Sequence, residues 1–138
     1  MTRHAVDTGP LVALLDRRDA HHHAVRGMIH ELQPPLATCE AVVTEAMHLL
    51  RRHAKAQSAL LALFDRGLLS IGFRFDQHLD AIQALLGRYA DVPMSFADAC
   101  LVRMSEADPH LVVITLNRDF HVYRRHGRGA VPLLMPSR

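Results

Sequence analysis

One short stretch constrains the fold of this chain more than any other. Leu111-Val112-Val113-Ile114 is a continuous apolar run rich in β-branched residues, and it follows a helical pattern that ends at Asp108-Pro109. Such a run is typical of a parallel strand buried on both faces, whereas alternation would indicate a strand with one wet face. Parallel strands need crossover connections, which are usually helices, so we predict a parallel sheet flanked by helices.

The rest of the chain agrees with this architecture. Strands are predicted at residues 4–6, 36–38, 68–73 and 131–134, and helices from about 10 to 15 and at 24–32, 40–54, 57–65, 76–87 and 95–108. Thr38 is placed to cap the helix at 40–54, whose C-terminal end carries Arg51, Arg52 and Lys55. The 138 residues show no linker or repeat and are a usual length for one domain, so we expect residues 1–138 to form a single α/β domain.

Composition excludes several classes of protein. The chain has no apolar run of roughly 18 residues or more, and no signal-peptide pattern near its start. Cys39 and Cys100 each lie in an apolar helical pattern, which favours buried thiols in a reducing compartment over a disulfide or metal site. The sequence therefore predicts a soluble cytoplasmic protein that does not associate with a membrane. The run His21-His22-His23 is interpreted as a solvated turn, because no second set of ligands has zinc-finger spacing.

Asp7 is the first candidate for a functional site. It stands between the short strand His4-Ala5-Val6 and the apolar helix that begins near Pro10. Ligands of open α/β sheets bind beyond the carboxyl ends of the strands, which is where this carboxylate lies. Asp is also a preferred N-cap residue, so capping explains Asp7 equally well. The position alone leaves both interpretations open.

Two further acids interrupt apolar helical patterns. Glu45 falls among Val42, Ala46 and Leu49, and a carboxylate on such a stripe is costly unless it is paired or bound to a metal. A buried ion pair with Arg51 or Arg52 is the structural alternative. Asp98 follows Ser95 by three residues, which is the spacing of a capping box, but it also lies beside Leu101 and Val102. Capping and function are again both open for Asp98.

A fourth acid, Asp119, follows the strongest strand, with Thr115 and Asn117 as further oxygen donors. Several converging carboxylates would repel one another without a cation, which would raise their pKa values. Mg²⁺ or Mn²⁺ would relieve that repulsion, since hard divalent ions prefer carboxylate and water oxygens. A carboxylate-held ion of this kind can promote hydrolysis at phosphorus, so the acids indicate metal-dependent phosphodiester chemistry.

The motifs 4–10, 41–46, 94–99 and 115–120 together resemble the PIN-domain family, especially the VapC-type toxins of prokaryotic toxin–antitoxin pairs. The resemblance covers nearly the whole chain. It implies a three-layer α/β/α sandwich with a central, mainly parallel sheet, and a ribonuclease that depends on Mg²⁺ or Mn²⁺. It also implies a homodimer and a cognate VapB-type antitoxin that blocks the site. By motif position, Asp7, Glu45 and Asp98 match the first three acids of the family.

The fourth motif departs from the family pattern. Thr115-Leu116-Asn117-Arg118-Asp119-Phe120 has Asn117 where an acid is common, so Asp119 is expected to supply the fourth acid if the segment is extended. A catalytically weakened module that binds RNA or a protein is the alternative to an active nuclease.

The supporting roles are assigned in the same way. Thr8 and Thr115, with Asn117, are expected to orient the carboxylates or bound waters. Nucleic-acid binding must come from local clusters, because the net charge is only +2. Arg118, Arg124 and Arg125 are the predicted RNA-binding residues, and the helix end at Arg51, Arg52 and Lys55 is a second candidate.

Overall fold

A computed structural model describes residues 1–137 and shows a parallel sheet flanked by helices, which confirms the predicted α/β/α architecture. Within these residues the strands are β1 (Arg3–Val6), β2 (Leu36–Thr38), β3 (Leu69–Ile71), β4 (Leu111–Ile114), β5 (Arg124–Arg125), β6 (Gly129–Ala130) and β7 (Leu133–Leu134). The helices are α1 (Thr8–Leu15), α2 (His22–His30), α3 (Glu40–Leu49), α4 (Ala54–Asp65), α5 (Leu79–Arg88) and α6 (Phe96–Ala107).

The order of the strands creates one reversal in the middle of the sheet. In the described chain the five-stranded sheet has the order β3-β2-β1-β4-β7, and every neighbouring pair is parallel. The chain therefore moves outward from β1 to β3 and then returns to place β4 against the other side of β1. Ligand crevices of open α/β sheets form at such switch points. The carboxyl ends of β1 and β4 meet there, with Val6 paired to Ile114.

The predicted strand 111–114 forms β4 with the predicted bounds. Leu111, Val113 and Ile114 are buried, in agreement with a strand covered on both faces. Strand 36–38 is also confirmed with its bounds, whereas the strands predicted at 68–73 and 131–134 shorten to 69–71 and 133–134. The antiparallel hairpin of β5 and β6 was not predicted, and its turn contains the positive-φ residues His126 and Gly127.

The helix predicted at 40–54 is shorter than expected, and the helix predicted at 57–65 begins earlier, at Ala54. Helix α3 ends at Leu49, and a turn in which the His53 amide donates to the Leu50 carbonyl (2.8 Å) leads into α4. Lys55 therefore begins α4 and does not complement the C-terminus of α3. Thr38 does not cap α3, because its hydroxyl donates to the Val6 carbonyl across the sheet (3.0 Å).

Three smaller expectations also change. The segment at Asp76 forms a 3₁₀ turn (Phe75–Gln77) before α5 begins. The histidine run is not wholly solvated, since His22 is buried and its Nδ1 lies 2.7 Å from the Ala13 carbonyl. Cys39 and Cys100 are free, buried thiols as predicted, although Cys39 is the N-cap of α3 and not a residue of its interior. No helix within residues 1–137 has the length and apolar character needed to cross a membrane.

Candidate active site

Asp7 lies at the switch point and is both a helix cap and a site carboxylate. It directly follows β1, caps α1 and is only 6% exposed. Its Oδ1 accepts a hydrogen bond from the Thr8 amide (2.7 Å), and its Oδ2 accepts one from the Thr115 hydroxyl (2.7 Å). Thr115 follows β4, so the two neighbouring strand ends hold this carboxylate between them. The two interpretations of Asp7 are compatible, because one oxygen serves the helix and the other faces the switch point.

The electrostatics of Asp7 reflect this burial. Burial raises its pKa from 3.8 to about 6, although the hydrogen bonds from Thr115 and Thr8 favour the charged form. The negative charges of Asp98 and Glu45 raise this pKa further. Asp98 and Glu45 therefore lie close enough for their charges to act on Asp7.

Glu45 does not lie on the buried stripe of α3, so that expectation was wrong. The buried residues of the helix are Val42 and Ala46, and Glu45 is exposed. Its Oε2 accepts a hydrogen bond from the Thr8 hydroxyl (3.0 Å). The alternative of a buried ion pair with an arginine is also wrong, because Glu45 makes no salt bridge within residues 1–137. Helical periodicity placed Glu45 next to the apolar stripe, but the helix presents it to the cleft at the switch point.

Asp98 caps α6 and also accepts a hydrogen bond from a side chain outside that helix. Its backbone amide donates to the Ser95 hydroxyl (3.0 Å) and its carboxylate accepts from the Ser95 backbone amide (3.5 Å), which forms the predicted capping box at the start of α6. The same carboxylate oxygen, Oδ2, accepts a hydrogen bond from the Tyr123 hydroxyl (2.9 Å). Asp98 is only 7% exposed, and its charge is felt at Asp7.

Tyr123 is the site residue that the sequence analysis missed. Its side chain is fully buried and packs edge-to-face against Tyr89 and Phe120. Burial raises the pKa of its hydroxyl well above 10, and the hydrogen bond to Asp98 and the nearby negative charges act in the same direction. The hydroxyl is therefore a permanent donor to Asp98. An isolated Tyr in a basic segment gave no periodic signal that could have identified it.

The segment after β4 is not extended, so the geometric argument for Asp119 was wrong. Residues Arg118–His121 form a 3₁₀ turn that Asn117 caps, with its Oδ1 accepting a hydrogen bond from the Asp119 amide (2.9 Å). The backbone amide of Asn117 also donates to the Thr115 hydroxyl (3.0 Å). Asp119 is exposed, but its charge contributes to the raised pKa of Tyr123. Asn117 therefore organises the loop, and Asp119 lies at the edge of the acidic cluster.

The three predicted RNA-binding arginines differ in availability. Arg118 is exposed. Arg124 donates from Nη1 to the backbone carbonyls of His121 (2.7 Å) and Tyr123 (3.0 Å), so part of its guanidinium supports the loop. Arg125 is half-buried, and its Nε has no hydrogen-bond partner in the described residues.

A cleft of about 400 Å³ adjoins the acids on the side of Glu45. Glu40 and Glu45 line it together with Phe73, Phe75 and Phe96. Phe75 and Phe96 pack edge-to-face at 5.5 Å and remain 50% and 43% exposed. The acidic cluster thus borders an exposed aromatic surface.

The donor set fits a hard divalent cation in its chemistry. Asp7, Glu45 and Asp98 offer carboxylate oxygens, and the mutual repulsion seen at Asp7 is the kind that such a cation relieves. The side chains do not form a closed coordination shell as they stand. Among residues 1–137, no group of three or more His, Cys, Asp or Glu side chains is close enough together to hold an ion.

A parallel sheet whose switch point gathers carboxylates from β1, α3 and α6 defines a class of α/β proteins with an acidic crevice. Residues 5–125 match the PIN domain family. The chain therefore belongs to the PIN domain family, as its four motifs indicated.

One solved structure shows the same fold. It is the VapC20 toxin of Mycobacterium tuberculosis, described as a toxin that cleaves the sarcin–ricin loop. The two chains share 22% sequence identity over 80% of this chain and 86% of that one, with a TM-score of 0.69. This likeness supports the PIN-like fold. None of the curated proteins compared with the chain matches its sequence.

Proposed function

We propose that this protein is a metal-dependent endoribonuclease, the toxin of a type II toxin–antitoxin pair. The observation that carries the proposal is that three acids from different elements each accept a hydrogen bond from a hydroxyl, and that the charges of Asp98 and Glu45 act on Asp7. Thr115 donates to Asp7, Thr8 donates to Glu45, and Tyr123 donates to Asp98. An acid with a purely structural role does not need other acids nearby, since a single cap or ion pair would satisfy it.

Asp7, Asp98 and Glu45 would hold Mg²⁺ or Mn²⁺. A divalent ion bound there would stabilise the negative charge that develops at phosphorus during hydrolysis of the RNA backbone. The hydroxyls of Thr8, Thr115 and Tyr123 fix the three carboxylates before substrate arrives, which limits the reorganisation that the reaction requires. Asp7 and Asp98 are buried away from water, so the charges of these two carboxylates act at low dielectric.

The remaining predicted residues contribute at the border of the site. Asp119 extends the acidic cluster towards solvent, and Asn117 holds the turn that carries it. Arg118 and Arg125, with the free part of Arg124, provide positive charge for the phosphates of the substrate. RNA is the substrate proposed here, because VapC20, which has the same fold, cleaves the sarcin–ricin loop.

The proposal includes two partners and a location. A VapB-type antitoxin would cover the acidic crevice, and the exposed aromatic residues Phe75 and Phe96 beside it offer apolar surface for a protein contact. A homodimer is the proposed assembly of the toxin. We propose a cytoplasmic location, because the proposed RNA substrate and antitoxin would be found there.

Cleavage of an RNA hairpin by the purified chain tests the activity. We expect cleavage with Mg²⁺ or Mn²⁺, none with EDTA, and loss of at least about 100-fold in rate for Asp98→Asn. Asp65→Asn is the matched control, because Asp65 is an exposed acid at the end of α4. Circular dichroism establishes that both variants are folded. Cleavage that persists in Asp98→Asn would reduce Asp98 to a capping residue and contradict the proposal.

The alternative is a PIN domain that binds RNA or a protein without cleaving it. It is favoured by the finding that the acids of residues 1–137 do not form a closed metal site. RNA that binds the wild-type chain with Mg²⁺ present but remains intact would support this alternative.

A further inference from the structure

A basic groove lies at the opposite end of the molecule from the acids. It consists of two adjoining depressions of about 490 and 720 Å³ that share Leu15, Arg17 and Ala59. The charged and imidazole side chains that give the basic groove its character are Arg17, Arg18, Arg26, Lys55, His23 and His53. The site proposed above uses none of them.

The groove is built from segments that are far apart in the sequence. Residues 16–18 follow α1, Arg26 belongs to α2, and His53 and Lys55 begin α4. The Nη2 atom of Arg18 lies 3.1 to 3.2 Å from both ring nitrogens of His53, which joins the first segment to the last. The fold therefore brings together cations that the sequence scatters over 40 positions, between about residue 16 and residue 55.

The cations of the groove are not neutralised. Asp16 is the one acid in its lining, and Asp16 already accepts from the Arg18 amide (3.0 Å) and faces the Arg18 guanidinium (3.8 Å). Arg17, Arg26 and Lys55 are exposed and make no salt bridge within residues 1–137. Like charges held together without acids raise the local positive potential, which attracts an anion with several charges.

The shape of the groove selects among anions. The cations are distributed along its length, and its floor is aliphatic, with Leu14, Leu15 and Ala59. A single phosphate could contact only part of this row, whereas a nucleic-acid strand presents charges at regular intervals. No Phe, Tyr or Trp lines the groove in the described chain, so base stacking is not its mode of contact.

We propose that the basic groove binds the phosphate backbone of the RNA substrate at a distance from the cut site. This inference rests on the proposed function, because it assigns the ligand to the same RNA. Asp7 caps the N-terminus of α1 and the groove lies at the C-terminus of this helix, so the two sites are separated by about 12 Å along the helix axis alone. An RNA that reaches both must extend well beyond the nucleotides next to the cut. The groove therefore favours long or folded RNA over short fragments.

The experiment measures binding of RNA without cleavage. Asp98→Asn suppresses cutting in every protein, and the probe is an oligouridylate of about 40 nucleotides titrated across a range of salt concentrations. The test variant is Arg17→Gln with Arg26→Gln, and the matched control is Arg66→Gln with Arg88→Gln, because these two residues also form no salt bridge within residues 1–137. Each pair removes two exposed positive charges, and neither control residue lines the groove. Melting temperatures establish that all the proteins are folded.

The groove variant is expected to lower the slope of log K against log salt concentration by about 1.4, which weakens binding about 25-fold near 0.1 M salt. The control pair should leave the slope unchanged, and Arg17→Lys with Arg26→Lys should restore it, because charge and not guanidinium geometry is required. Equal losses in the groove and control variants would overturn the proposal, since net charge alone would then explain binding.

Two further outcomes would also overturn the groove proposal. One is an unchanged slope in the groove variant, and the other is a loss of binding to anionic lipid vesicles with no loss of binding to RNA. The proposed nuclease is judged separately by metal-dependent cleavage. If the wild-type chain does not cut RNA but the groove variants lose salt-dependent binding of RNA, the proposed nuclease activity is refuted and the groove proposal stands.

Discussion

Replacement of Asp7 by Asn should stabilise the metal-free protein near neutral pH. The pKa of Asp7 is raised in the folded state, so the folded chain binds this proton more tightly than the unfolded chain does. Wild-type stability therefore falls as the pH rises from about 4 to about 6, and the full loss is present above that range. Asn carries no charge at any of these pH values, so the variant avoids this loss.

The size of the effect follows from the pKa. A rise from 3.8 to about 6 corresponds to about 3 kcal/mol of lost stability at neutral pH. The substitution also removes an acceptor from the Thr115 hydroxyl, which costs about 1 kcal/mol. The expected net gain for Asp7→Asn is therefore about 2 kcal/mol at about pH 7.5, or roughly 6 °C in melting temperature for a domain of this size.

Urea denaturation in EDTA at about pH 4.5 and about pH 7.5 measures this difference. Asp65→Asn serves as the control, because it removes the same charge from an exposed position and should show little change between the two pH values. A variant that is less stable than wild type by the same amount at both pH values would refute the reasoning. Capping of α1 and the bond from Thr115 would then outweigh the cost of burying the charge.

Four other outcomes are expected. Tyr123→Phe should cost about 1.5 to 3 kcal/mol in denaturation and should reduce RNA cleavage, since Asp98 loses a buried donor. Asn117→Ala should cost about 1 kcal/mol and weaken cleavage less than Asp119→Asn, because Asn117 caps the turn that positions Asp119. Mg²⁺ at about 100 times its Kd should stabilise the wild-type protein by about 2.7 kcal/mol in thermal melting. Glu45→Gln should change the free energy of unfolding of the metal-free protein by less than about 0.5 kcal/mol, because Glu45 is exposed.

Features set by neighbouring residues could be predicted from the sequence. The β-branched run predicted β4, and Ser95 with Asp98 predicted the capping box of α6, because both depend on contacts within a few positions. The turn between α3 and α4 was predicted too late in the chain, since the helical pattern of residues 40–54 continues through it while the backbone closes at Leu50.

Contacts between distant residues needed the tertiary structure. The bond between Thr115 and Asp7 joins positions 108 apart, and Tyr123 reaches Asp98 across 25 positions. Periodicity establishes which residues share a helix face, but it does not establish what that face meets, so it placed Glu45 in the core. The sequence by itself predicted the five strands of the main sheet, the capping box of α6 and the candidate acids. Only the packing of the sheet decided that hydroxyls hold those acids and that cations gather at the opposite end, because strand order brings distant segments together.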